Sequence, residues 1–294
     1  MISDADCPIT ARRLCLGAVG LCAFLVACSE TPAATATAPA YLDSFNLETP
    51  DRQWTLPKPL TEISGLAVTP DGQVFAHDDE RGVIHRLDIS TGQRLGAFAL
   101  TGNAERGDYE GIAWLQERLW LVDSDGVLID VRPGADGTRV AGTRHETGLG
   151  EHCEVEGLAA DAARQLLVLS CKQQRDKRHN GAVTVHFWSA DGGLDVLPPL
   201  TLAESALAGV IATSHYNPSA VELTPDREHL LLLAGRQQAL AEVALDGTVL
   251  RVVRLNRRTH PQPEGIAITP SGDLLIADEG KKAGGMLAVY GRHE

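Results

Sequence analysis

Apolar residues fall in short runs along this chain, and each run is closed by a turn built from Gly, Pro, Asp or Asn. "ISGLAVT" meets Pro70-Asp71-Gly72 and continues as "QVFAHD"; "HLLLLAG" is followed by "ALAEVAL", then Asp246-Gly247, then "TVLRVVRL". β-rich runs joined in this way predict an all-β meander of antiparallel strands, because glycine reaches positive φ without steric cost. In the mature chain only Leu202 to Ile211 carries a helical period, which predicts one short helix.

The runs themselves repeat. Gly65 in "ISGLAVTPDG", Gly111 in "YEGIAWLQER", Gly157 in "VEGLAADAAR", Ala220 in "PSAVELTPDR" and Gly265 in "PEGIAITPSG" align at steps of 46, 46, 63 and 45 residues. A period of about 40–50 residues is that of one four-stranded propeller blade. The long step is explained by "KQQRDKRHNG" (Lys172 to Gly181) and "AESALAGVIATSHY" (Ala203 to Tyr216), insertions at the joints of the third unit. After Glu264 only three strands fit, while "YLDSFNLE" and "RQWTLP" remain before the first repeat. The expectation is a five-bladed β-propeller over residues 41–294, in which an N-terminal strand completes the last blade and pins the ring shut.

The segment before the repeats has a different character. Arg12 and Arg13 precede "LCLGAVGLCAFLVAC", a core of signal-peptide length, and Leu25-Val26-Ala27-Cys28 matches the bacterial lipobox. That match implies residues 1–28 as a lipoprotein signal peptide, lipidation at Cys28, and an outer-membrane anchor, since Ser29 rather than Asp follows the cysteine. Residues 29–40, "SETPAATATAPA", read as a flexible tether. Of six cysteines, only Cys153 and Cys171 lie beyond this region; export leaves them as a possible disulfide or as two buried thiols.

Charge narrows the choice of partners. With 26 Lys and Arg against 39 Asp and Glu, the formal net charge is −13, which disfavours nucleic acid and anionic membrane and suits carboxylate clusters that attract cations. Membrane contact is expected through the lipid anchor only.

The "EGIA…" openings, "NPSAVELTP", "LLVLSCK" and the lipoprotein leader together resemble the SdiA-regulated (YjiK-like) family, bacterial envelope propellers distantly related to NHL repeats. The resemblance spans Tyr41 to the C-terminus. It implies a bound calcium ion and no established catalytic activity.

The repeat places its own acids. Glu110, Glu156 and Glu264 share one repeat position at the start of an inner strand, so they are expected around one mouth of the central channel. Pairing across the first turn of each blade is expected to set Asp123 opposite Glu110 and Asp278 opposite Glu264, with Lys172 as an ion-pair partner for Glu156. Ser64 and Ser219 stand where the other two glutamates would be. Converging carboxylates need a proton or a cation between them, and an oxygen-only donor set selects calcium over zinc. The metal-ligand candidates are therefore Glu110, Glu156, Glu264, Asp123 and Asp278; the alternative has these glutamates accepting loop amides and only bracing the blades.

No catalytic residues are assigned. His77, His152, His179 and His215 are expected as surface or rim histidines, and no Gly-x-Ser-x-Gly elbow occurs. "DSDG" (Asp123–Gly126) lacks the later ligands of an EF-hand and predicts a turn. The functional expectation is a calcium-binding envelope lipoprotein, a non-catalytic propeller that binds a protein, peptide or glycan. Its rival is a calcium-dependent hydrolase, a lactonase or phosphoesterase, acting at the channel.

Overall fold

The first strand, β1 (Arg52–Thr55), has its partner at the far end of the chain. The structure, a computed structural model, describes residues 40–102, 105–280 and 284–293; the signal segment, Cys28 and all of the tether except Ala40 lie outside the described residues.

Five sheets follow in chain order. Blade I holds β2 (Ile63–Val68), β3 (Val74–Asp78), β4 (Val83–Asp88) and β5 (Gln93–Leu100). Blade II holds β6 (Tyr109–Leu115), β7 (Arg118–Asp123) and β8 (Val127–Val131). The excursion after β8 first lends β9 (Arg139–Val140) to blade I as a parallel outer strand on β5, then returns as β10 (Thr143–Glu146) to complete blade II. In blade III, β11 (Cys153–Asp161), β12 (Leu166–Gln174) and β13 (Ala182–Ser189) are followed by two short strands, β14 (Gly193–Leu194) and β15 (Leu200–Ala203), which share the outer edge of β13. A single helical turn, α1 (Glu204–Ala208), leads from there toward blade IV, made of β16 (Ala220–Leu223), β17 (His229–Ala234), β18 (Ala239–Ala244) and β19 (Val249–Arg254). Blade V has β20 (Pro263–Ile268), β21 (Leu274–Asp278) and β22 (Met286–Tyr290). Its fourth strand is β1, paired antiparallel to β22 from Arg52↔Val289 to Thr55↔Met286, so the chain ends close the ring.

Packing explains why the strands read as apolar runs rather than as alternations. Each blade is covered on both faces, and five apolar clusters fill the five junctions; Leu66 and Val74 meet Ala267 and Leu275 between blades V and I, for example. Leu230 to Leu233 are all buried because alternate members face blade III and blade V. At about 25 cal/mol per Å² of apolar area, these two-sided strands supply most of the drive to fold. Cys153 and Cys171 are joined by a disulfide inside the junction of blades II and III.

A second lock holds the N-terminal side. Residues Tyr41–Ser44 form a 3-10 turn, and the backbone N–H groups of Tyr41 and Leu42 donate to the Glu242 carboxylate at 2.7 and 2.8 Å. Glu242 is fully buried, with His229 Nδ1 2.7 Å from its Oε1.

Candidate functional site

One irregularity recurs in four inner strands. The pairing of first to second strand slips by one residue between Ile63 and Gly65, Tyr109 and Gly111, Val155 and Gly157, and Pro263 and Gly265. The residues left over at these bulges are Ser64, Glu110, Glu156 and Glu264. A bulge bends its strand and re-aims the extra side chain, a common device beside functional sites. In blade IV the first and second strands pair without a bulge; Ser219 stands just before β16, donating its hydroxyl to the Pro263 carbonyl at 2.9 Å and accepting from Gly235 N–H at 3.0 Å.

The glycines after Glu110 and Glu156 have a physical reason, and Gly265 after Glu264 is the looser case, with nothing nearer than 3.2 Å to an added Cβ. A Cβ on Gly111 would come within 2.8 Å of the Leu158 backbone nitrogen, and one on Gly157 within 2.8 Å of the Val221 nitrogen. Inner strands of neighbouring blades approach too closely there for any side chain. The repeated Glu-Gly therefore couples a close strand contact to a carboxylate aimed at the channel mouth.

The three glutamates feel one another. Burial pushes the Glu110 carboxyl up to about 9, with Glu156, Asp108 and Glu264 adding repulsion and Lys172 opposing it. Burial raises Glu264 to about 8, again reinforced by Glu156. Glu156 is only 3% exposed and rises to about 7 through burial, held down by the Lys172 ammonium on its Oε1. Burial alone would lower Lys172, but Glu156, Glu154 and Glu110 outweigh it and raise its affinity for the proton; Glu154 lies 3.5 Å from Nζ. Three carboxylates against one ammonium leave a charge of −2 when all are ionised.

A second tier of polar residues sits two places before the bulges: Glu62, Asp108, Glu154 and Gln262. Asp108 adds to the repulsion on Glu110, and Gln262 donates to Glu279 beside Glu264. Glu62 and Glu279, after burial, help push Asp79 up to about 6. This tier was legible in "DYEG", "EVEG" and "QPEG" as an acid or amide two residues before the glycine-linked glutamate, and sequence reasoning missed it.

The expected partnership of Asp123 and Asp278 with the glutamates is corrected. Because of the bulge, Asp123 pairs with Tyr109 and Asp278 with Pro263. Asp123 Oδ1 instead accepts Val127 N–H at 2.8 Å and Asp125 N–H at 3.1 Å, closing the "DSDG" turn. Asp278 is fully buried against His260 Nδ1 at 2.7 Å, and His260 Nε2 lies 2.6 Å from the Tyr290 hydroxyl. Glu110, Glu156 and Glu264 are brought together; the two aspartates are spent on their own blades.

One histidine expectation also changes. His77 is fully buried under Gly65, where a Cβ would come within 2.5 Å of its Nε2, and burial lowers its pKa to about 4. His152, His179 and His215 are exposed. Among the described residues, no three His, Cys, Asp or Glu side chains stand placed to enclose one metal ion. The donors suit calcium chemically, being hard oxygens with a charge deficit of one divalent cation, and Lys172 occupies Glu156 in its place.

Known proteins share this architecture. Glutaminyl cyclase from Myxococcus xanthus superposes with a TM-score of 0.55 at 19% identity, covering 82% of this chain and 94% of its own. A luciferin-regenerating enzyme superposes with a TM-score of 0.51 at 10% identity, covering 84% and 98%. At these identities the likeness is one of fold. Among curated proteins none matches the chain at a significant level. The SdiA-regulated family model matches residues 44–281, and with the five-bladed ring closed by β1 this places the chain in the SdiA-regulated family.

Proposed function

We propose that this chain is a calcium-binding cell-envelope lipoprotein, anchored through Cys28 to the outer membrane and facing the periplasm, whose propeller binds a protein, peptide or glycan without catalysis. The observation that carries the metal half is the convergence of Glu110, Glu156 and Glu264 around a single Lys172, all three raised by burial and Glu110 and Glu264 also by Glu156. These three glutamates would hold the ion, with water completing its shell; the ion supplies the positive charge that the mouth lacks. Binding requires Glu156 to exchange Lys172 for calcium. The lipobox and the Ala/Thr/Pro tether support the anchored half of the reading.

Metal analysis of the purified protein tests it, together with melting curves in millimolar calcium and in chelator. The reading expects calcium in the isolated protein and a lower melting temperature after chelation. Identical curves and no bound metal would leave the glutamates as blade braces.

A hydrolytic reading has one observation in its favour: a Glu110 carboxyl that keeps its proton up to about 9 can serve as a general acid at the mouth. Turnover of lactones or aryl esters, lost in Glu110→Gln, would replace the non-catalytic reading with this one.

A further inference from the structure

The long third step of the repeat adds two insertions, residues 172–181 and 203–216. The first is almost wholly polar, and the second seats Leu207, Ala208, Ile211 and Tyr216 in the core between blades III and IV. With the β17–β18 turn they wall a cavity of about 590 Å³, within the usual range for small-molecule sites. Its charges are almost all spoken for. Lys172 is committed to Glu156 and Glu154. Glu204 Oε1 accepts Tyr216 N–H at 2.8 Å and faces His215 Nδ1 at 3.1 Å. The floor is fixed by Asn217, whose Oδ1 accepts from Gln237 at 3.0 Å while its Nδ2 donates to the Lys172 carbonyl at 3.2 Å.

Arg236 is the exception. It lines the cavity from the β17–β18 turn, is exposed, and has no hydrogen bond or ion pair with any described residue. A chain of net charge −13 has carboxylates in excess, yet none is set against this guanidinium. The pocket therefore carries one uncompensated positive charge on a planar, forked donor. That fork matches the two oxygens of a carboxylate or phosphate, and an ammonium would not. Gln173, exposed on the same wall and without a described partner, adds an amide for hydroxyl or amide groups of the ligand.

We propose that this pocket binds a small hydrophilic oxyanion, a carboxylate or phosphate on a molecule rich in hydroxyl or amide groups, with Arg236 as its bidentate anchor. The site adjoins the calcium reading through Lys172, which lines the pocket and pairs with Glu156, but its anchor belongs to blade IV and makes no hydrogen bond or ion pair with the three glutamates.

Isothermal titration with gluconate, N-acetylalanine, glycerol 3-phosphate and glucose tests the proposal on the intact protein. It expects binding of at least one of the three anions and none of glucose. The carboxylates and the phosphate ester in the panel tell which oxyanion the fork prefers. Arg236→Gln should weaken that binding at least tenfold and Arg236→Lys by less, because a point charge keeps the attraction and loses the fork. Arg236 is exposed on a turn, so unchanged melting of both variants verifies folding. The combined variant Glu110→Gln, Glu264→Gln should bind the anion as wild type does, which separates this site from the metal. No binding by any anion, glucose binding as tightly as gluconate, or full affinity in Arg236→Gln would overturn it.

Discussion

Two sets of carboxylates lie one residue apart in register and have opposite fates. Asp78, Asp123 and Asp278 end the second strand of their blades, and each finds donors at home: Arg81 N–H at 2.9 Å, Val127 N–H at 2.8 Å, and His260 Nδ1 at 2.7 Å. Glu110, Glu156 and Glu264 occupy the bulges of the first strands and find mainly one another and Lys172. Both sets recur with the repeat, so recurrence alone does not separate a structural acid from a functional one. Satisfaction does: burial raises both sets, but the aspartates already accept good donors and have little left for a ligand, whereas the glutamates face further carboxylates and gain from any cation that arrives.

The largest effect should come from the satisfied set. Asp278→Ala leaves His260 Nδ1 buried without its carboxylate partner and frees the chain that runs through His260 to the Tyr290 hydroxyl, and should cost about 3–5 kcal/mol in urea unfolding. A loss below about 1 kcal/mol would erase the distinction between the two sets.

Next comes calcium. At a concentration a hundredfold above its dissociation constant it should add about 2.7 kcal/mol, or roughly 5–10 °C of melting temperature for a domain of this size. The gain should depend on pH. The three glutamates bind protons more tightly in the folded chain than in the unfolded one, whose ordinary value is 4.5. Their contribution is fully present below that value and fades as pH rises through about 7, 8 and 9. Calcium-free protein should therefore lose stability at these groups between pH 6 and 9, and calcium should restore more at pH 8 than at pH 6. Melting curves at the two pH values, with and without chelator, decide it; an equal gain at both would mean the ion does not compete with these protons.

The combined variant Glu110→Gln, Glu264→Gln should make the calcium-free protein more stable at pH 8, by about 1–2 kcal/mol of relieved repulsion, while abolishing the calcium response. The smallest effect belongs to Asp123→Ala, which removes two turn hydrogen bonds for about 1 kcal/mol and should leave the calcium response intact. Loss of that response would return Asp123 to the ligand set.

How much of this the sequence discloses follows from what repeats. Five blades, a closing strand from the N-terminal segment and the short helix inside Leu202–Ile211 are legible, because turn chemistry and the Glu-Gly openings recur at a blade's length; that the strand is "RQWT" rather than "YLDSFNLE" is settled by its pairing with β22. The three glutamates are legible for the same reason, as is the pairing of Lys172 with Glu156. The register of the aspartates is not, because a bulge adds a residue without leaving a mark in the spacing, and that residue turns Asp123 and Asp278 away. His77 was misplaced because its burial depends on the missing side chain of Gly65 across the strand pair. The loan of β9 to blade I and the pocket around Arg236 arise from chain segments distant in sequence, so no local pattern announces them.

Calcium titration by calorimetry at pH 8, run on the wild type, Asp123→Ala and the combined Glu110→Gln, Glu264→Gln variant, reaches the central claim most directly. The account predicts one binding event in the first two and none in the third. Silence in the wild type, or undiminished affinity in the double variant, would contradict it.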